Sequence, residues 1–195
     1  PAVRDVDGDG AAEIIAAGMD GRLYVIDGAG EHVGASPMEM CFGGSPEKDY
    51  EDGLCGIEGT RSIVSPLVAD VDGDGRMEIG FGTNEAVDGG RYSVSYLVDA
   101  LTGEPEPGWP MLEHGLVNDA ALLPLVGQGH PSSMAAADLD GDGDLEIINP
   151  IMLGQTDILS HDGTIHMEIP YHETDWDPGH NVDVPSIIQD RKSVG

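Results

Sequence analysis

A ten-residue stretch that occurs three times decides the fold of this chain. It reads DVDGDGAAEI at residues 5–14, DVDGDGRMEI at residues 70–79 and DLDGDGDLEI at residues 138–147. The copies begin 65 and 68 residues apart, so the repeated unit is long. Repeats at such a period are typical of stacked architectures in which neighbouring units share a core. We call the stretch the acidic loop and number its positions from one.

Strand patterns flank every acidic loop. A short apolar run precedes it, as at residues 66–69, and a strand-like run follows it, as at residues 79–82. A glycine turn and an alternating run come next, most clearly at residues 92–98. Helical periodicity is absent, and four short strands with glycine turns are typical of one propeller blade. We therefore predict an all-β fold, a partial β-propeller of about three four-stranded blades plus the first strand of a fourth.

The repeat also divides the chain into blades. We expect blade one at residues 1–64 with a cysteine-containing insertion, blade two at residues 65–132, blade three at residues 133–184, and the start of a further blade or a tail at residues 185–195. Closed propellers have about 4–8 blades, and an open arc leaves strand edges exposed. Either the native protein is longer, or copies of the chain associate to complete the ring. The first alternative is favoured, because both ends of the sequence cut through a strand.

The charge of the chain and its lack of long apolar runs argue against two classes of partner. Its 37 Asp and Glu residues outnumber its 8 Lys and Arg residues, which gives a formal net charge of −29. Nucleic acid is not expected, because phosphate contacts need basic side chains. Direct membrane insertion is not expected either, because no run of about 18 apolar residues is present. The excess acidic side chains repel one another in the folded state, which destabilises it unless bound cations or salt reduce the repulsion.

The acidic loops are the candidate metal sites. Calcium takes about 6–8 oxygen ligands, and carboxylates at positions one, three and five with a backbone carbonyl at position seven can surround one ion. The Glu at position nine can complete the set. The predicted ligands of three Ca²⁺ sites are Asp5, Asp7, Asp9, Ala11 and Glu13; Asp70, Asp72, Asp74, Arg76 and Glu78; and Asp138, Asp140, Asp142, Asp144 and Glu146. An empty acidic turn is the alternative, but three such loops would repel strongly without a cation.

These loops differ from an EF-hand and resemble another family. An EF-hand needs a Glu at position twelve and a following helix, whereas position twelve here holds Ala16, Phe81 and Asn149. The loops instead resemble the FG-GAP (VCBS-type) repeat, and Phe81-Gly82 stands where that family often has a Phe-Gly turn. The resemblance implies calcium-binding propeller blades, as in integrin α-subunits and secreted bacterial proteins. One departure is the Glu at position nine, where the integrin-type loop has Asp.

The two cysteines, Cys41 and Cys55, lie close together in a segment rich in glycine and acidic residues. A disulfide bond between them is predicted, with two free thiols as the alternative. By the chain-entropy estimate such a bond contributes roughly 3 kcal/mol to stability, and it indicates an oxidising compartment. That compartment agrees with an extracellular or cell-surface location for a secreted protein.

Other candidate chemistry is sparse. A polar cluster around His172 and His180 either holds a second metal, lines a carbohydrate site, or is a solvated loop. The sequence contains no His-Glu-x-x-His zinc motif and no Gly-x-Ser-x-Gly nucleophile elbow. Trp109 is expected to pack between blades rather than to stack on a ligand.

The sequence therefore predicts a calcium-binding extracellular module for adhesion or for binding a protein or carbohydrate ligand. Calcium is expected to be mainly structural, and no enzymatic activity is expected. One alternative is part of a secreted polysaccharide-degrading enzyme of the lyase type, which the family resemblance also allows; another is a purely architectural repeat of a large surface protein, with no ligand of its own. Lyase chemistry needs a base for proton abstraction, and its candidates are Arg61, Arg91 or a histidine.

Overall fold

The protein is described here from a computed structural model, which covers residues 1–40, 62, 64–83, 92–114, 130, 132–151 and 156–169. Within these ranges, twelve strands form three antiparallel sheets of four strands each, and there is no α-helix. Accordingly, no helix in these ranges is long and apolar enough to cross a membrane. The predicted all-β architecture is confirmed.

Each sheet is a meander whose strands are hydrogen-bonded in chain order. The first sheet contains β1 (Ala2–Arg4), β2 (Glu13–Ala17), β3 (Arg22–Ile26) and β4 (Met38–Glu39). The second contains β5 (Leu67–Ala69), β6 (Glu78–Gly82), β7 (Tyr92–Asp99) and β8 (Met111–His114). The third contains β9 (Ala135–Ala137), β10 (Glu146–Pro150), β11 (Thr156–Leu159) and β12 (Ile165–Ile169). Each sheet falls within one predicted blade range, and the exact limits of the blades stay predictions.

The acidic loop occupies the same place in every sheet, between the first and the second strand. The Glu at position nine begins the second strand and pairs with the last residue of the first strand. These pairs are Arg4 with Glu13, Ala69 with Glu78, and Ala137 with Glu146. The shared register means that three similar sequences fold into three similar strand connections.

The first and second sheets pack face to face around an apolar core. Ile15, Leu23 and Val25 of the first sheet have no exposed surface, and they share this core with Phe81 and Tyr96 of the second sheet. The rings of Phe81 and Tyr96 stack at a centroid distance of 5.3 Å. Burial of an aliphatic side chain such as Ile15 or Leu23 stabilises the fold by about 1.5–3 kcal/mol. The apolar contacts of this interface therefore hold the two sheets together.

The second sheet also packs against the third, through its opposite face. Tyr96 belongs to the first core, whereas the next residue, Leu97, packs with Ile147 and Leu159 of the third sheet. Side chains alternate along a strand, which explains how β7 serves both interfaces. The first strands of neighbouring sheets also contact each other, β1 with β5 and β5 with β9. Stacked meanders with adjacent first strands are the arrangement of propeller blades.

Hydrogen bonds between loops reinforce the contact between sheets. Leu145 N, in the third acidic loop, donates to the Val71 carbonyl of the second loop at 2.8 Å. Trp109 is only 7% exposed, and its Nε1 donates to the His161 carbonyl at 2.9 Å. The indole thus packs between the second and third sheets, as the sequence predicted.

Replacement of Trp109 by Phe is expected to destabilise the contact between the second and third sheets. The change removes the indole N–H and leaves the His161 carbonyl without this hydrogen-bond donor. The free energy of unfolding should fall by about 1–3 kcal/mol. Urea unfolding measures this loss, and Met19→Ala is a control, because Met19 is 58% exposed. An unchanged unfolding midpoint for the Trp109 variant would contradict the assigned role.

Candidate metal sites

Two glycines shape the backbone of each acidic loop. In the first loop, Gly8 and Gly10, at positions four and six, have φ angles of 77° and 91°. Their counterparts in the other loops also have positive φ, namely Gly73, Gly75, Gly141 and Gly143. This region of φ is unfavourable for residues with a Cβ atom. The glycines therefore let the chain turn tightly enough to bring the alternating aspartates together.

Hydrogen bonds from the loop backbone fix the aspartate carboxylates. In the first loop, Gly8 N and Gly10 N donate to the two oxygens of Asp5 at 2.8 and 3.0 Å. Asp9 N donates to Asp7 Oδ1 at 3.1 Å, and Ala11 N donates to Asp9 Oδ1 at 2.7 Å. The last two bonds recur at the same positions in the second and third loops. The carboxylates are thus oriented before any ligand binds.

The Glu at position nine is buried and reaches back across its loop. The exposed fractions of Glu13, Glu78 and Glu146 are 1%, 1% and 3%. In each loop the Oε2 atom accepts a hydrogen bond from the backbone N–H at position two, at 2.9, 2.8 and 2.7 Å. The carboxylate therefore closes the loop at its base. An Asp at this position, shorter by one methylene, would not reach the same N–H from the same backbone position.

Carboxylate oxygens converge in all three loops. Oxygens from positions one, three and nine lie within 4.8 Å of one another in the first loop and in the second loop. In the third loop the corresponding group is formed by positions one, three and five. The predicted ligands that converge are Asp5, Asp7 and Glu13; Asp70, Asp72 and Glu78; and Asp138, Asp140 and Asp142. Asp9, Asp74 and Glu146 lie outside these groups, and ligation by the carbonyls of Ala11, Arg76 and Asp144 stays a prediction.

The second loop contains the least compensated carboxylates of the described loops. Asp70 Oδ1 is buried and has no hydrogen-bond donor among the described residues. Burial raises the pKa of Glu78 to about 7, and the charges of Asp72 and Asp74 act in the same direction, against the opposing hydrogen bond from Val71 N. An unpartnered buried oxygen is costly, and a cation would compensate it. The donor set, which is all oxygen, suits calcium.

Arg76 supplies a positive charge to the outer side of the same loop. Its guanidinium contacts Asp74 at 2.9 Å and Asp99 at 2.8 Å. The backbone N–H and then the guanidinium of Arg76 lower the pKa of Asp74 below its usual value. Arg76 therefore offsets part of the negative charge on this side of the second loop.

One residue near the third loop was not predicted as a ligand. His166, on β12, has a ring nitrogen within 4.8 Å of carboxylate oxygens of Asp140 and Glu146. The sequence shows only a histidine in a short alternating run, and nothing in that run indicates that β12 brings it to the loop.

Several predicted features lie outside the described residues. They are the Cys41–Cys55 pair, the cluster around His172 and His180, the candidate bases Arg61 and Arg91, and the segment 185–195. The disulfide bond and the start of a further blade therefore stay predictions.

Comparison with known proteins supports the interpretation of the repeat. Residues 5–81 match the sequence profile of the family described as the FG-GAP-like repeat, a range that contains the first two acidic loops. No curated protein matches the sequence. Among solved structures, the chain is similar to the biofilm matrix protein Bap1 of V. cholerae, with 20% identity and a TM-score of 0.32. The similarity covers 87% of this chain and 28% of the length of that protein.

Proposed function

We propose that this chain, with FG-GAP-like repeat sequence in residues 5–81, is a calcium-binding β-propeller module of an extracellular or cell-surface protein. The observation that carries the proposal is the convergence of three carboxylates in each of three loops. Each loop joins the first two strands of its sheet, so a bound ion holds both strands. Calcium thus serves mainly to stabilise the scaffold.

Electrostatics favours a cation in these loops over empty turns. Three carboxylate oxygens within 4.8 Å of one another repel each other, and the net charge of −29 adds to this repulsion. Calcium fits better than magnesium, because magnesium retains its waters and needs strict octahedral geometry. An extracellular location agrees with the proposal, since extracellular modules bind calcium with dissociation constants of about 10⁻⁴–10⁻³ M.

Binding of a protein or carbohydrate partner is assigned to the segments that connect the blades. Rigid sheets position connecting segments, and binding residues are found disproportionately on such segments. The insertion around Cys41 and Cys55 is the candidate surface, and its acidic composition suits a partner with basic groups or one bridged by calcium. This adhesive or ligand-binding role is the proposed activity of the module, with no catalytic step.

Equilibrium dialysis with radioactive calcium tests the proposal. We expect three bound ions per chain, and we expect Asp72→Asn to lose one of them. The Asn side chain keeps an oxygen that accepts from Asp74 N, so the variant removes a charge and preserves the loop geometry. Glu31→Gln, which changes the same charge outside the loops, is the matched control and should keep three ions. Equal stoichiometry for wild type and Asp72→Asn would contradict the site.

A further inference from the structure

The third acidic loop differs from the other two because an imidazole joins its carboxylates. A ring nitrogen of His166 and one oxygen each of Asp140 and Glu146 lie within 4.8 Å of one another. Among the described residues, the groups in the first and second loops contain carboxylates alone. The donor set at the third loop is therefore chemically distinct, although its ten-residue sequence follows the same pattern.

A β-bulge brings the imidazole to the loop. β12 pairs with β11 through Ile158 opposite Met167 and Leu159 opposite Ile165, with a register shift between these pairs. His166 is the extra residue between Ile165 and Met167, so it lacks an opposing residue on β11. Bulges bend a strand and re-aim a side chain, and they occur often beside functional sites.

The remaining ligands are held in place before any ion binds. Glu146 is 3% exposed, and its Oε2 accepts from Leu139 N at 2.7 Å. Asp140 Oδ1 accepts from Asp142 N at 3.1 Å. His166 is exposed, which leaves a route for an ion from solvent. The site thus combines two fixed carboxylates with one accessible nitrogen donor.

We propose that Asp140, Glu146 and His166 form a site for a divalent transition-metal ion such as Zn²⁺. Imidazole nitrogen suits zinc, cobalt and nickel, whereas calcium prefers oxygen ligands throughout. Three protein ligands leave a position for water on a four-coordinate ion. The inference rests on the proposed metal-binding role of the third loop, and it does not depend on which ion occupies the other loops.

The spacing of the three atoms fits one shared ion. Three atoms separated by 4.8 Å at most have a common centre about 2.8 Å or less from each atom. Small side-chain rotations then reach the zinc–nitrogen and zinc–oxygen distances of about 2.0–2.2 Å. Asp140 also belongs to the carboxylate group with Asp138 and Asp142. The calcium ion proposed for that group and the transition-metal ion would therefore compete for Asp140.

Titration with Co²⁺ in the presence of millimolar calcium tests the proposal, because cobalt reports its coordination through visible absorption. We expect one equivalent of Co²⁺ to give absorption bands that Zn²⁺ abolishes by displacement. His166→Ala and His166→Asn should each weaken Co²⁺ binding at least tenfold. His161→Ala is the matched control and should bind normally, because His161 also lies beside the third loop, at 3.2 Å from Asp144.

The outcomes separate this inference from the calcium proposal. If Co²⁺ fails to bind, or binds equally to wild type and to both His166 variants, the proposal of a transition-metal site at His166 is wrong. Dialysis that still finds three calcium ions would then leave the calcium proposal intact. Cobalt binding that requires His166, in a chain that binds no calcium, would support the site and overturn the calcium proposal instead. Melting curves of the His166 variants close to wild type establish that they fold.

Discussion

Chelation of calcium is expected to lower the melting temperature of this chain by on the order of 20 °C. At about 10 mM calcium and a dissociation constant of about 10⁻⁴ M, each site contributes about 2.7 kcal/mol to stability. Three sites together contribute about 8 kcal/mol. For a chain of this size, each kcal/mol corresponds to roughly 2–4 °C. We expect a large effect because unfolding would separate the carboxylates and release the ions that the proposal places between them.

Calorimetry in excess EGTA and in about 10 mM calcium measures this shift. Re-addition of calcium should restore the higher transition. Sodium chloride at matched ionic strength is the control, since screening alone relieves part of the repulsion between carboxylates. If sodium chloride restores the whole shift, or if EGTA leaves the curve unchanged, calcium does not stabilise the fold through specific sites.

Acidification is expected to remove about 3 kcal/mol of stability through His130 alone. His130 is 4% exposed, and burial lowers its pKa to about 4. Its Nδ1 lies 3.3 Å from the Pro150 carbonyl, and its Nε2 lies 3.0 Å from Ser95 Oγ. Asn149 Nδ2 donates to the same hydroxyl at 3.0 Å. Because a carbonyl only accepts, these contacts suit a neutral ring with its proton on Nδ1.

The direction of the pH effect follows from the two pKa values of His130. The pKa is about 6.5 in the unfolded chain and about 4 in the folded chain. Between these values the unfolded chain binds a proton that the folded chain does not bind. The contribution of His130 is therefore complete above pH 6.5, and it is lost as the pH falls toward 4.

Urea unfolding of wild type and His130→Gln at pH 7 and at pH 4 isolates this contribution. Any release of calcium at low pH would be common to both proteins and would cancel in their difference. We expect the stability advantage of wild type over the variant to shrink by about 3 kcal/mol between the two pH values. An advantage that is equal at both pH values would show that His130 does not titrate in this way.

The repeat in the sequence predicted most of the architecture. Alternating aspartates and glycines, followed by an apolar run, indicated a strand–loop–strand unit, and its three copies indicated three blades. Both predictions depend on residues close in the chain, which is why local patterns carried them. The prediction that Trp109 packs between sheets also followed from the repeat, because residues at matching positions of a repeat often pack between neighbouring blades.

Other features depend on register and on distant pairing, and the sequence did not reveal them. Glu13 closes its loop because it pairs with Arg4, and only the strand register places it there. His166 reaches the third loop through a bulge, which leaves no distinctive residue pattern. His130 finds its partner Ser95 across 35 positions of the chain. Each of these contacts is set by tertiary structure rather than by local sequence.

The hydrogen bond from Leu145 N to the Val71 carbonyl links the second and third acidic loops directly. Val71 N donates to Glu78, which closes the second loop. Leu145 is followed by Glu146, which closes the third loop through its hydrogen bond from Leu139 N. When one loop becomes ordered around an ion, the shared bond reduces the entropy that the next loop must lose. If both loops bind calcium as proposed, we expect them to fill together over a narrow range of calcium concentration, so that the contact between the two blades tightens at a threshold concentration.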